Sequence, residues 1–199
     1  PLFREGYPIL SPEVIPGYEG FKTERYEELA QLESENFWFR GRKRLISWAI
    51  QKYFASAKTF LEIGCGTGDV IAEIGKSIPH LRLFGSDIFC EALSYASKRS
   101  PEATYFQMDA RTIPFEEEFD IIGAFDVLEH VQETKRFVKS CLYHLTPGGW
   151  LFVNVPALNF LFSKYDLAQQ HFRRYNEKLL QETLRYEYLQ IRDIRFWGM

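Results

Sequence analysis

With 199 residues, 46% of them hydrophobic, the chain can bury one well-cored domain, and its formal net charge of -3 gives no hint of a nucleic-acid or anionic-membrane partner. Cys65, Cys90 and Cys141 are odd in number and follow neither metal-clamp nor disulfide spacing, which favours a reducing cytoplasm over secretion. No signal peptide and no apolar run long enough to span a bilayer is present, so no stable membrane association is expected; the chain begins at Pro1, which leaves a preceding leader or small module open.

Residues 1–20, with Pro8, Pro12, Pro16 and several glycines, read as an irregular arm before a single domain over 21–199. A short helix is expected over 24–33 and a second over 42–55, where Leu45, Ile46, Ala49, Ile50, Tyr53 and Phe54 recur at helical spacing and would pack on a sheet. Phe60, Leu61 and Ile63 mark a short buried strand that runs into Gly64-Cys65-Gly66-Thr67-Gly68. There, alternate glycines allow a tight reversal into a helix and a close approach of backbone to a ligand. Glu62, just before the turn, suits a cationic ligand better than a phosphorylated one. Its carboxylate can accept, directly or through water, from the ammonium of a methionine moiety, which points to S-adenosylmethionine. A nicotinamide-binding turn would want a third glycine where Asp69 stands, an anion unwelcome beside a pyrophosphate. The plain alternative is a glycine turn that only joins a strand to a helix.

Strand and helix then alternate, the pattern of an α/β, doubly wound, mostly parallel sheet with helices on both faces. A helix over 69–77 precedes a strand over 81–87 ending in Asp87, which suits ribose hydroxyls or the N-cap of the next helix, over 91–98. A third strand over 103–108 ends at Asp109, an acceptor for the exocyclic amine of adenine, with the backbone of Ala110 for a ring nitrogen. A fourth over 120–125 leads into Asp126-Val127-Leu128-Glu129-His130-Val131. A helix over 132–145 buries Phe137, Val138, Cys141, Leu142 and Leu145, and a fifth strand over 150–155 follows a turn at 145–149. A helix over 177–186 and a sixth strand over 189–197 complete the pattern.

The segments over 60–156 resemble the class I S-adenosylmethionine-dependent methyltransferases, in particular the broad bacterial group that includes the ubiquinone-pathway O-methyltransferases. Glu35-Asn36-Phe37-Trp38-Phe39-Arg40-Gly41-Arg42 is similar to a leading segment of many of these enzymes. His171-Phe172-Arg173-Arg174-Tyr175, in the stretch that starts at Asp166, is similar to their segment after the fifth strand. The resemblance implies a Rossmann-like methyltransferase fold with S-adenosyl-L-methionine as cofactor. It puts Gly64, Gly66 and Gly68 along the methionine part, Glu62 beneath the amino group and Arg42 at the carboxylate, with Cys65 a further cofactor-binding residue. It also puts Asp87 on the ribose, Met108 and Asp109 around the adenine, and Phe125 beside the sulfonium, with Ile88 and Ala110 as further cofactor-binding residues. Relatives insert a seventh, antiparallel strand that is absent here, since the chain stops at Met199. Omitted residues or a partner would fill the gap between the fifth and sixth strands, and a homodimer is a further expectation.

Methyl transfer from a sulfonium is an in-line displacement in which alignment supplies much of the catalysis, roughly 7–11 kcal/mol of barrier for well-placed reactants. A base becomes useful when the acceptor is a hydroxyl. His171 is the preferred catalytic base, because its segment usually holds the acceptor in this fold, and His130 is the second candidate. Each is also readable as a structural histidine, His130 the more so because it begins a helix whose dipole discourages protonation. Asp126, Glu129 and His130 resemble a cluster that holds a divalent ion in some of these enzymes, with His171 as a fourth ligand. Such a set would accept magnesium, manganese or zinc, and whether a metal is used stays open. Phe160, Phe162, Tyr165, Phe172 and Tyr175 suit either an apolar lid or core packing, and Arg173 and Arg174 either an anion clamp or a mixture of solvated face and ion pair. The expected function is methyl transfer to oxygen, with nitrogen next, of a small-molecule or carrier-linked acceptor. A catalytically silent binding subunit and a nicotinamide oxidoreductase are the rivals; an RNA methyltransferase is disfavoured by the acidic charge balance.

Overall fold

The computed structural model describes residues 2–11, 23–112, 115–187 and 189–197. Its strands are β1 (Leu2–Arg4), β2 (Tyr7–Ile9), β3 (Thr59–Ile63), β4 (Arg82–Asp87), β5 (Thr104–Gln107), β6 (Phe119–Phe125) and β7 (Leu145–Asn154), and they form one sheet in the order β1-β2-β5-β4-β3-β6-β7. Every neighbouring pair is parallel except the β1–β2 hairpin. The helices are α1 (Thr23–Glu35), α2 (Phe37–Tyr53), α3 (Asp69–Ser77), α4 (Cys90–Arg99), α5 (Thr134–His144), α6 (Lys164–Ala168) and α7 (Glu177–Thr183).

β3 runs through the middle of the sheet and is buried along its whole length, as an apolar strand covered on both faces must be. Phe60 faces a layer built with Ile46 and Ile50 of α2, Ile71 and Ile74 of α3, and Leu93 and Ala96 of α4. Leu61 and Ile63 face the opposite layer with Phe137, Val138 and Cys141 of α5. Each large side chain so buried stabilises the fold by about 1.5–3 kcal/mol before entropy is counted. Strand order reverses beside β3, with β4 and β5 to one side and β6 and β7 to the other. The carboxyl ends of β3 and β6 therefore flank the crevice in which open α/β sheets hold ligands.

The structure departs from the sequence reading at both ends. Where it is described, the arm expected to be irregular over 1–20 forms the β1–β2 hairpin, and Ile9 opposite Gln107 joins it to β5. Tyr7 fastens it to α4 through its hydroxyl, 3.1 Å from Leu93 O and 2.7 Å from Ser97 Oγ. Residues 12–20 of that arm lie outside the described residues. α2 starts at Phe37 rather than Arg42, because Asn36 Oδ1 accepts from the Trp38 N–H at 2.8 Å and caps the helix there. β7 starts at Leu145, so Pro147 and Gly149 fall inside the strand, at a register shift opposite the stretch between Phe119 and Ile121. α7 ends at Thr183, short of 186, and α6 is an additional helix, started by a capping box between Ser163 and Asp166. The sixth strand expected over 189–197 does not form. Among the described residues no strand lies beyond β7 to give it a ladder, and side chains hold the segment instead: Arg195 Nη2 lies 3.2 Å from Tyr53 Oη, and Arg192 lies over the Trp150 ring. None of the described helices is long and apolar enough to cross a membrane.

Candidate functional site

β3 delivers the chain into the glycine turn, where Gly64, Gly66 and Gly68 all hold positive φ. Gly68 caps α3 against α4, and a Cβ there would meet Ala96 Cα at 2.8 Å. Gly66 differs: a Cβ on it would meet nothing within 4 Å, so its backbone borders open space. Asp87, at the end of β4, accepts from the Gly66 N–H and the Phe89 N–H, each at 3.0 Å, and so fixes the turn and the approach to α4 together. Burial pushes its carboxyl up against the pull of those bonds. The neighbouring Cys65 is buried, and that burial raises its thiol well above the ordinary range.

Glu62 is 3% exposed, and its Oε2 has no hydrogen-bond partner. Burial raises its carboxyl well above the usual range, and the charge of Arg42 draws it part of the way back. Arg42 forms an ion pair with Asp126, which sits at positive φ where β6 ends. Its guanidinium lies 5.3 Å from the Trp38 ring centroid, and its Nε is unpartnered. Asp126 Oδ1 accepts from Asn154 Nδ2 at 2.7 Å, Asn154 Oδ1 accepts from Trp197 Nε1 at 3.0 Å, and Trp197 stacks on Trp38. An orphaned carboxylate oxygen on one side and open space over Gly66 on the other fit the ammonium-bearing part of S-adenosylmethionine.

Beside the turn, Thr67 donates to Glu33 of α1, Arg99 of α4 reaches Glu33 at 2.6 Å, and Lys43 of α2 reaches Asp69 at 2.6 Å. This network holds the N-terminal helices over the turn.

The far end of the crevice is built by β5. Met108 is a core side chain, 2% exposed. The Asp109 carboxylate is held by Arg111, with Nη2 to Oδ2 at 2.7 Å and Nε to Oδ1 at 3.0 Å. These bonds outweigh burial and lower its carboxyl. An adenine amine would have to share this carboxylate with Arg111 or displace the guanidinium. Nothing among the described residues accepts from the Ala110 N–H, and Ile88 O accepts from Gln107 Nε2 at 3.3 Å. The ring of Phe125 packs in the core against Phe152 and over Gly123.

Beyond the end of β6 the structure brings together two histidines and two acids. His130 and His171 meet edge to face with centroids 4.7 Å apart, and Glu129, His130 and His171 present ligand atoms within 4.8 Å of one another. Asp126, expected in the same cluster, is turned to Arg42 and Asn154 instead. His130 ends a single 3-10 turn (Leu128–His130) rather than starting a helix. Burial, and secondly the charge of His171, lower its imidazole to about 4. Glu129 is buried with Oε2 unpartnered; burial and then the charge of Asp126 raise its carboxyl well above the usual range.

The residue that sequence reasoning missed is Asp166. Fully buried, it lies 3.0 Å from His171 Nδ1 and pairs with Arg174 Nε at 2.7 Å and Nη2 at 3.1 Å, while the Ser163 N–H donates to it at 2.9 Å. Burial would raise its carboxyl, but the bonds from Arg174, His171 and Ser163 outweigh that and hold it well below the usual range. An ionised Asp166 accepts only, so His171 Nδ1 carries the proton and Nε2 is left free. Its signal was in the sequence, since Ser163-Lys164-Tyr165-Asp166 is a helix-start pattern. Arg174 is thus an ion-pair partner of Asp166 rather than an anion clamp. The aromatic set divides: Tyr175 is core, whereas Phe160, Tyr165 and Phe172 are exposed.

Residues 61–153 match the family model described as a methyltransferase domain. The chain is 29% identical over 113 residues to a ubiquinone biosynthesis O-methyltransferase of Paraburkholderia xenovorans, covering 54% of this chain and 48% of the relative. It is 32% identical over 106 residues to a malonyl-[acyl-carrier protein] O-methyltransferase of Haemophilus ducreyi, covering 49% and 41%. The chain thus spans about half the length, or less, of these relatives. Among solved structures, Streptomyces venezuelae DesVI is similar with a TM-score of 0.59 at 22% identity, over 72% of this chain and 61% of that one. So is Haemonchus contortus phosphoethanolamine N-methyltransferase 2 in complex with S-adenosyl-L-methionine, with a TM-score of 0.59 at 24% identity over 69% and 35%.

Proposed function

Starting from a chain that carries a methyltransferase domain of the S-adenosylmethionine-dependent kind over residues 61–153, we propose that it methylates an oxygen of a small-molecule or carrier-linked acceptor, in the cytoplasm. The observation that carries this reading is the Asp166–His171 pair. A hydroxyl keeps its proton at neutral pH and must lose it as the oxygen attacks; His171, held by Asp166 with Nε2 free, is built to take that proton. Bound S-adenosylmethionine supplies an electrophilic methyl group on a sulfonium. Glu62 would hold its ammonium, Arg42 its carboxylate, Asp87 with Ile88 its ribose, and Asp109 with Ala110 its base. The glycine turn brings backbone close at Gly64 and Gly66, and Cys65 lines the same turn. His130 stays neutral and packs against His171, which keeps a second charge away from the base. The O-methyltransferase names of the sequence relatives support oxygen as the acceptor atom.

The test is incubation of the protein with methyl-labelled cofactor and a metabolite extract, read by mass spectrometry. A labelled methyl ether, the product of a hydroxyl acceptor, is expected with wild type and should be greatly reduced with His171→Ala. Products methylated only on nitrogen, or full activity in that variant, would refute the assignment.

A second reading is favoured by the convergence of Glu129, His130 and His171, a donor set that fits a divalent cation. The two readings exclude one another at one atom, because His171 Nδ1 is taken by Asp166 and Nε2 can hold a proton or a metal but not both. Full activity after exhaustive chelation, with no metal found by elemental analysis, supports the base and rejects the cation.

A further inference from the structure

The N-terminal hairpin ends where the adenine end of the crevice begins, and buried polar groups join the two. The Leu10 N–H donates to Gln107 O at 2.9 Å, and the Ser11 N–H donates to Gln107 Oε1 at 3.3 Å. The other end of the same amide, Gln107 Nε2, donates to Ile88 O at 3.3 Å. Ser11 Oγ accepts from the Asp109 N–H at 3.0 Å and lies 3.2 Å from Thr112 Oγ1. Ser11 is 8% exposed and Gln107 5%, so the bond between them is made away from water and the others are partly shielded from it, where losing one matters more than at the surface. Asp109 is pinned twice, at its peptide by Ser11 and at its carboxylate by Arg111, and the next peptide N–H, that of Ala110, has no acceptor among the described residues.

We infer that Ser11 is a positioning residue for base selectivity, fixing the Asp109–Ala110 segment in the place from which it reads the adenine of the cofactor. The inference rests on the function proposed above. Adenine offers an amine donor beside a ring-nitrogen acceptor; hypoxanthine offers a carbonyl acceptor beside an N–H donor at the same places. A fixed segment sets acceptor against acceptor and donor against donor when hypoxanthine enters, and a site built for one pattern rejects the other. Without the Ser11 hydroxyl the Asp109 N–H loses its acceptor, and the segment is free to shift and relieve that mismatch.

The experiment measures dissociation constants of S-adenosylhomocysteine and S-inosylhomocysteine by calorimetry for wild type, Ser11→Ala and Ser11→Thr. Wild type is expected to prefer the adenine ligand by about 100-fold or more. Ser11→Ala should cut that preference about tenfold, the scale of one buried hydrogen bond. Ser11→Thr, which keeps the hydroxyl, should restore it. An alanine variant that weakens both ligands equally, or leaves the ratio unchanged, overturns the inference by reducing Ser11 to a structural residue. Should Ser11→Ala not fold, Ser11→Cys, of similar volume and with a weaker acceptor, reads the same ratio. A wild-type protein that binds neither ligand overturns the functional reading itself.

Discussion

Replacing Glu62 by Gln removes a charge without changing shape, and the structure predicts opposite signs for its effects on stability and on binding. In the folded chain Glu62 is 3% exposed with Oε2 unpartnered, and burial raises its carboxyl well above the usual range, Arg42 offsetting only part of this. A raised folded pKa means that the folded state binds its proton more tightly than the unfolded state does. The stability this contributes is fully present below the unfolded value, about 4.3, and is lost as pH rises through the folded value. Above that window the ligand-free protein carries a buried charge that Arg42 offsets only in part. Glu62→Gln should therefore unfold at the same or a higher urea concentration at pH 8, with its advantage shrinking toward pH 5. Binding runs the other way. Losing one charge-assisted hydrogen bond to an ammonium costs about 1.5–3 kcal/mol, or about 10- to 150-fold in dissociation constant. Calorimetry with S-adenosylhomocysteine over a pH series should show wild-type affinity rising with pH as the carboxylate forms, and a weaker, flatter profile in the variant. A variant that binds as tightly as wild type with the same pH slope would refute Glu62 as the ammonium acceptor. One less stable than wild type at pH 8 would show that the buried carboxylate has a stabilising partner.

The acceptor side gives a second test. Asp166→Asn should lower kcat by about 10²–10⁴ while leaving the affinity for S-adenosylhomocysteine unchanged, because the amide no longer enforces the Nδ1–H form of His171; single-turnover rates beside calorimetry check this, and equal losses in both would mark the pair as merely structural. Two neighbouring glycines should separate packing from ligand space. Gly68→Ala collides with Ala96 and adds a left-handed backbone penalty, so its melting temperature should fall steeply. Gly66→Ala should lose only about 1–2 kcal/mol of stability but most of its cofactor affinity, and a variant that binds normally would mean that the space over Gly66 is not the ligand's.

Much of the central sheet was legible because its signals are local. Phe60, Leu61 and Ile63 form an apolar run that ends at a glycine turn, and Asp87 and Asp109 end or follow strands whose length and burial the sequence carries. Phe125 shows the limit. An apolar residue at a strand's end faces core or ligand depending on its neighbour, and here the missing side chain of Gly123 lets the ring fold back into the core. The Asp166–His171–Arg174 group was hidden for another reason: its members meet through a short capped helix and the bend after it, a geometry without a period. Three-residue strands such as β1 and β2 are shorter than any alternation that could announce them. The run from Leu189 to Trp197 looked like a strand and is not one, because strandedness belongs to a pair and its apolar alternation names no partner.

The hairpin that opens the chain is also the element with the longest wait. Tyr7 has no partner until Leu93 and Ser97 are in place, nor Ser11 until Gln107 and Asp109 are, and closing a loop of about 100 residues costs roughly 4 kcal/mol in chain entropy. The backbone of the glycine turn, by contrast, is fixed by its flanking strand and helix and by Asp87 of the next strand along. The hairpin is thus among the last pieces to dock and among the first to lift. Native-state hydrogen exchange should show it, with the amides of Leu10 and Asp109 opening at lower free energy than those of β3. On the proposed site assignment, the crevice matures from its methionine end toward its base end, and a partly opened molecule would keep its grip on the amino acid while losing its ability to tell one purine from another.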